Sequence, residues 1–236
     1  MPRRADHGFW PYLAPYFGFL VVADLSSRLP GSWDALGLVL RVAIPLAALL
    51  YFFRSERNYP ELRHFAGGAR GAALDFAVGL AGAALWMAPY LLAEGLRPAP
   101  DAAFDPAQLG AAAVPLVLGL RTLGYGFVTP VVEELFLRSW LARYVEVFDR
   151  RADFRELPLA RYSLRSFCAV GICFLITHQP WEWWVALPWF LLSQLWFYRR
   201  AQLGSVVLLH AGSNLGILAA VVLGDRLGLG AWWFFL

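Results

Sequence analysis

Apolar stretches recur along the chain near residues 9–25, 34–53, 70–93, 109–128, 130–148, 164–178, 183–198 and 203–224, before a short aromatic tail, Trp232-Trp233-Phe234-Phe235-Leu236. Several approach or exceed the ~17–25 residues with which a helix crosses about 30 Å of hydrocarbon, and none alternates with the period of two that marks a barrel strand. In lipid, backbone polar groups must be satisfied inside the segment. The pattern therefore predicts an all-α fold, a polytopic integral membrane helical bundle with about eight membrane-embedded helices. Residues 109–148 are too long for one straight crossing. Gly124-Tyr125-Gly126-Phe127-Val128-Thr129-Pro130 predicts a break there, with Pro130 at the first position of a new helix.

Composition agrees with a lipid solvent: 59% of residues are hydrophobic and 16% charged. All 20 cationic residues are arginine. No basic run interleaved with aromatics lies in a soluble segment, so no nucleic-acid partner is implied. Met1 to His7 could open a signal peptide, but Pro11 and Pro15 interrupt the apolar stretch next to it, and a retained first span is expected. Arginines sort the loops. Arg3 and Arg4, the 54–70 loop, the 149–165 loop and Arg199/Arg200 alternate with loops poor in arginine, such as Glu94 to Asp105 and Gln179 to Trp184. The rich loops are predicted to be cytoplasmic, placing the N-terminus inside a multi-pass cell-membrane protein.

Cys168 and Cys173 are five apart and read as buried small hydrophobes. Gly67-Gly68-Ala69 and Gly79-Leu80-Ala81-Gly82 read as close helix packing. The tryptophans at 181, 183, 184 and 189 suggest an interfacial belt. Arg41, Arg121 and Asp75 are expected to find partners.

Three polar islands interrupt the apolar helices: Glu133-Glu134 with Arg138, then His178 after Phe174, then His210 with Asn214. Ionisable groups in a membrane are a site hypothesis by default. At 1.5 Å per residue, Glu133 lies ~22 Å from the cytoplasmic loop near Asp149, and His178 ~21 Å from Leu164. His210 and Asn214 lie ~15 and ~21 Å beyond Arg200. All four reach compatible depths.

Neighbouring residues on a helix point about 100° apart, so the two glutamates cannot serve one centre. Glu134 and Arg138 form an i,i+4 pair in the favourable order, which leaves Glu133 as the free carboxylate, able with His178 to hold and deprotonate water. His210 and Asn214 share a face and can donate to an oxyanion.

Glu-Glu-x-x-x-Arg at 133–138, Phe-x-x-x-His at 174–178 and His-x-x-x-Asn at 210–214 resemble, in that order, the motifs of the CAAX prenyl protease family, also called CPBP or Abi. The resemblance covers about 109–224 within a single membrane domain, 1–236. It implies a glutamate-dependent intramembrane endopeptidase without a cofactor or metal, acting on a membrane-associated protein or peptide in the lipid bilayer, its cavity opening toward the cytoplasm. By the same resemblance Glu133 activates water, His178 is its partner, His210 and Asn214 stabilise the oxyanion, and Glu134 and Arg138 support them. The stretch Arg54 to His64 resembles the bacterial branch associated with exosortase systems, implying a bacterial inner membrane and exosortase-system partners. The alternatives are a zinc-dependent membrane peptidase using Glu133, His178 and His210, and a non-catalytic scaffold or immunity protein of the same fold.

Overall fold

A computed structural model of the chain describes residues 8–28, 33–55, 58–63, 68–98, 106–150, 152–229 and 232–236. Arg3, Arg4, Arg57, His64, Gly67, Asp101, Asp105 and Arg151, which contribute to the sequence patterns, lie outside them. The described residues form seven helices and no strand. They are α1 (Trp10–Arg28), α2 (Asp34–Phe53), α3 (Gly68–Leu92), α4 (Ala111–Tyr144), α5 (Leu164–Ile176), α6 (Trp183–Arg200) and α7 (Leu203–Arg226). By length and composition, α2, α3, α4 and α7 can each cross a membrane, while α5 is a shorter apolar helix.

The helix count falls to seven because the two segments expected at 109–128 and 130–148 are one continuous helix of 34 residues. Proline removes a backbone donor and crowds the carbonyl four residues earlier, which ordinarily ends a helix. Here the turn ahead of Pro130 widens instead: Gly124–Val128 is a π-helical turn, and the Thr129 N–H reaches back five residues to the Gly124 carbonyl. The two glycines let neighbours close on the widened turn. A methyl on Gly124 would lie 2.6 Å from Val42 of α2, and one on Gly126 would run into Leu215 of α7. A second π segment, Leu135–Leu141, comes directly after the glutamate pair.

Ends elsewhere have local causes. Ser163 caps α5 by accepting from the Ser166 N–H at 3.0 Å. Ala201, in a left-handed conformation at φ 51°, turns the chain from α6 into α7. That tight connection makes α6 and α7 antiparallel neighbours.

The helices α3 and α7 approach more closely than side chains allow. A Cβ on Gly79 would strike the Leu209 carbonyl oxygen and sit 2.9 Å from the Gly212 Cα; one on Gly212 would lie 2.5 Å from the Phe76 oxygen. Across this seam the Ser213 hydroxyl donates to the Gly79 carbonyl at 2.8 Å and accepts from Trp189 Nε1 at 2.9 Å. Membrane helices associate through such small-residue contacts because lipid offers no hydrophobic drive between them.

The first two helices dock on α4 through Tyr16, whose ring stacks on Phe136 at 4.0 Å, and through the turn Pro60–Leu62. There Glu61 accepts from the Ser139 hydroxyl and lies 3.6 Å from Arg143, while the Tyr59 hydroxyl donates to the Pro11 carbonyl.

The intramembrane charges find partners. Asp75, fully buried, accepts from Trp196 Nε1 at 2.9 Å and pairs with Arg200 at 3.0 Å. Arg41 donates to the Ala23 carbonyl at 3.2 Å, and Arg121 to the Leu236 carbonyl at 2.7 Å. Cys168, expected to be buried, is exposed, and neither cysteine is in a disulfide.

The α3–α7 seam yields a direct test. Gly79→Ala must push backbone against backbone and should destabilise the protein by about 1–3 kcal/mol, whereas Gly119→Ala, whose methyl meets nothing within 4 Å, should be neutral. Thermal unfolding of both variants in detergent measures the difference.

Candidate active site

The six motif positions come from α4, the turn after α5 and α7, and the local structure divides them into two groups. Glu133 and Glu134 lie just beyond the widened turn of α4 on adjacent positions and diverge as the helix spacing requires. Glu134 is fully buried. One of its oxygens accepts from Arg138, also fully buried, and the other lies 2.8 Å from His210 Nδ1. Arg138 in turn donates through Nη2 to the Ser193 hydroxyl of α6 at 2.6 Å. A chain of charge-assisted hydrogen bonds thus joins α4, α6 and α7.

Glu133 faces the other way, into a cavity of ≈ 200 Å³ that it lines together with His178, His210 and Asn214. The four residues that the sequence placed at matched depth are therefore brought together, while Glu134 and Arg138 stand behind them.

His178 owes its place to the end of α5. The helix spans only 13 residues, roughly 20 Å, before Thr177, whose hydroxyl donates to the Phe174 carbonyl at 2.9 Å. Pro180 two residues beyond His178 cannot continue the ladder. The Phe174 carbonyl also accepts from His178 Nδ1 at 2.7 Å. A carbonyl can only accept, so Nδ1 carries the hydrogen and Nε2 keeps its lone pair.

His210 is held by the same nitrogen, but on a carboxylate. With Nδ1–H committed to Glu134, Nε2 accepts in the neutral ring and donates only in the imidazolium. Asn214 is engaged as well: its amide nitrogen donates to the Tyr125 carbonyl at 2.8 Å, within the π turn of α4. One amide hydrogen is taken up and the second remains.

The aromatic lining was less legible from sequence. Trp189, which the sequence pattern grouped with the interfacial belt, is 3% exposed. It stacks on Phe174 at 5.2 Å and meets His210 edge-on at 4.9 Å. Trp183 and Trp184 are exposed as a belt requires, at 44% and 43%. Trp189 lies on the buried stripe Val185, Ala186, Trp189, Phe190, Ser193, Gln194, Phe197 of α6, whose three-and-four spacing marked it as inward-facing. Trp86 over His178 at 5.5 Å and Tyr125 carry no such signal.

Among the described residues no three His, Cys, Asp or Glu side chains gather as metal ligands, Glu133, His178 and His210 included.

The cavity occupies one half of the bundle's depth. Along α4 it is lined by Tyr125, Thr129 and Glu133, along α7 by His210 to Ile217, and it continues to Glu182 in the turn after α5. Apart from His210, these lie from about the level of Glu133 toward the end carrying the arginine-poor turns. If the arginine-rich loops are cytoplasmic, most of this lining lies in the half of the bundle away from the cytoplasm.

Two measurements test this geometry. In a Cys168→Ser, Cys173→Ser background, a membrane-impermeant thiol reagent applied outside should label Gly95→Cys and spare Ala152→Cys; the reverse would put the cavity mouth on the cytoplasmic side. Glu134→Gln should leave Arg138 a buried charge without its counterion, costing about 3–5 kcal/mol, while Glu133→Gln, at the cavity wall, should unfold near the wild-type temperature. Equal losses in the two variants would contradict the division between them.

Residues 115–216 match the family model described as type II CAAX prenyl endopeptidase Rce1-like, a stretch that contains all six motif positions. No curated protein and no solved structure gives a significant match. From α4 into α7, the chain is thus similar to the Rce1-like type II CAAX prenyl endopeptidases.

Proposed function

We propose that the protein is a membrane endopeptidase that hydrolyses a peptide bond in a membrane-associated protein or peptide, with Glu133, His178, His210 and Asn214 acting on the reacting atoms. The observation that carries this reading is the convergence of three separate motifs on one cavity, with both histidines oriented through Nδ1.

Water between the Glu133 carboxylate and His178 Nε2 donates one hydrogen to each, which turns its lone pair toward an incoming carbonyl. As the oxygen attacks the carbonyl carbon, Glu133 takes the proton. The electron pair of the C=O bond moves onto oxygen, where the second Asn214 amide hydrogen and an imidazolium Nε2–H of His210 donate to it. Collapse of the tetrahedral intermediate breaks the C–N bond, and Glu133 returns its proton to the leaving amine.

For His210 to serve in this way Nε2 must carry a hydrogen while Nδ1 donates to Glu134 at 2.8 Å. Glu134 is thus a positioning residue: it sets the orientation of the His210 ring, while Arg138 and Ser193 hold Glu134. The single membrane domain 1–236 then uses its N-terminal half to brace α4, where Glu61, Ser139 and Arg143 meet. The Tyr59 to Arg63 stretch is accounted for by that bracing, so an exosortase-system partner rests on the resemblance alone.

The kinetic test compares two variants with a membrane-embedded peptide. Glu133→Gln should abolish turnover. Asn214→Ala removes a donor needed by the oxyanion more than by the ground-state carbonyl, and should lower kcat about 10²–10³-fold with substrate binding little changed. A rise in KM alone, with kcat intact, would make Asn214 a binding residue and overturn the oxyanion assignment.

A further inference from the structure

The cavity of ≈ 200 Å³ is below the ~300–1,000 Å³ of sites that enclose a drug-sized ligand. A peptide extending on both sides of a scissile bond needs more room than this, so one wall must yield. Most walls are locked. The helices α3 and α7 touch at glycines with no space for a methyl. Glu134, Arg138, Ser193 and His210 tie α4 to α6 and α7, and Phe174 stacks on Trp189 between α5 and α6.

The remaining wall is the aromatic tail, through Phe235 and Leu236. It is held differently. The tail is a single 3₁₀ turn, Trp233–Phe235, reached from α7 past Gly228, which sits at φ 66°. Phe234 and Phe235 lean edge-on against Tyr90, with ring centres 6.2 and 5.6 Å away, and Phe234 meets Trp181 at 6.4 Å. Its polar ties include the Arg121 bond to the Leu236 carbonyl at 2.7 Å and a Trp233 contact to Asp225 at 3.4 Å, the latter beyond the ordinary N–H···O range. At its base Trp232 is seated on Gly224 of α7, where a methyl would come within 2.5 Å of the indole ring; beyond that anchor the tail is held by ring contacts and these hydrogen bonds.

We propose that Trp233–Leu236, anchored at Trp232, is a displaceable lid, seated where an apolar, aromatic-bearing segment of the substrate lies during turnover. Tyr90 and Trp181 offer ring edges and faces to an aromatic side chain, and Arg121 offers a donor to a main-chain carbonyl. Lid and substrate compete for that seat, so the closed lid lowers apparent substrate affinity by the fraction of time the seat is open. The peptide nature of the substrate, and with it the need for a wall to yield, rests on the proposed proteolytic activity.

The test reads access to the cavity independently of catalysis. In the Cys168→Ser, Cys173→Ser background, Ile217→Cys places a thiol in the cavity wall, and its reaction with N-ethylmaleimide is timed in the full chain and in one ending at Leu229. Loss of the tail should speed labelling at least about tenfold, and adding the peptide Trp-Trp-Phe-Phe-Leu-amide should slow it again. Equal rates in the two chains would overturn the lid. Should the shortened chain fail to fold, Phe235→Ala with Leu236→Ala gives the same comparison with the same two outcomes. Cleavage of a membrane peptide separates the two readings. With both correct, the shortened chain has a KM about tenfold lower at similar kcat. Faster labelling with no cleavage by either chain keeps the lid and rejects the protease; cleavage by both chains at unchanged labelling keeps the protease and rejects the lid.

Discussion

The carboxylate of Glu134 is the interaction on which the remaining geometry depends. It is fully buried and holds two partners, Arg138 on its own helix and His210 on α7. A buried ion pair gains little over an apolar replacement once desolvation is counted, so stability alone does not explain its presence. Its consequence is positional. Through Arg138 it reaches Ser193 on α6, and through His210 it sets which ring nitrogen faces the cavity. One charge therefore aligns three helices and selects the chemistry of a histidine, while its neighbour Glu133 is left to the cavity.

Two irregularities let α4 supply both glutamates in this way. An ideal helix with Pro130 in its interior would lose a backbone bond and crowd Gly126. The π turn at Gly124–Val128 relieves the crowding and exposes the Tyr125 carbonyl, which Asn214 uses. Wide turns of this kind often accompany functional sites because they aim backbone groups that a regular helix keeps to itself. The glycines of the same turn bring α2 and α7 against it, so the irregularity is stabilised by packing on both sides.

This division explains how much could be read from the chain. Helix extents came from apolar length alone, and the starts and ends of α2, α5 and α7 agree with the hydropathy pattern to within a few residues. The separation of Glu133 from Glu134 came from the 100° step between neighbours, and the common depth of Glu133, His178, His210 and Asn214 from helix rise. The continuity of α4 was not legible, because whether a proline breaks a helix is decided by whether Val42 and Leu215 can close on the turn before it. The Nδ1 partners of the two histidines, and the seating of Phe235 against Tyr90, depend on contacts between residues far apart in the chain. Trp189 lay in between: the inward stripe of α6 identified it, but its likeness to the tryptophans of the neighbouring turn drew it to the membrane surface.

The central claim is that Glu133 makes the protein a peptidase, and the substrate is the product of that claim most open to direct observation. Membranes from cells carrying the wild-type chain and from cells carrying Glu133→Gln at equal abundance can be compared by mass spectrometry of protein termini. New termini within or beside membrane segments should be present with the wild-type chain and absent with Glu133→Gln, their uncleaved precursors accumulating in the variant. Identical sets of termini in the two membranes, with the variant folded and equally abundant, would contradict the account.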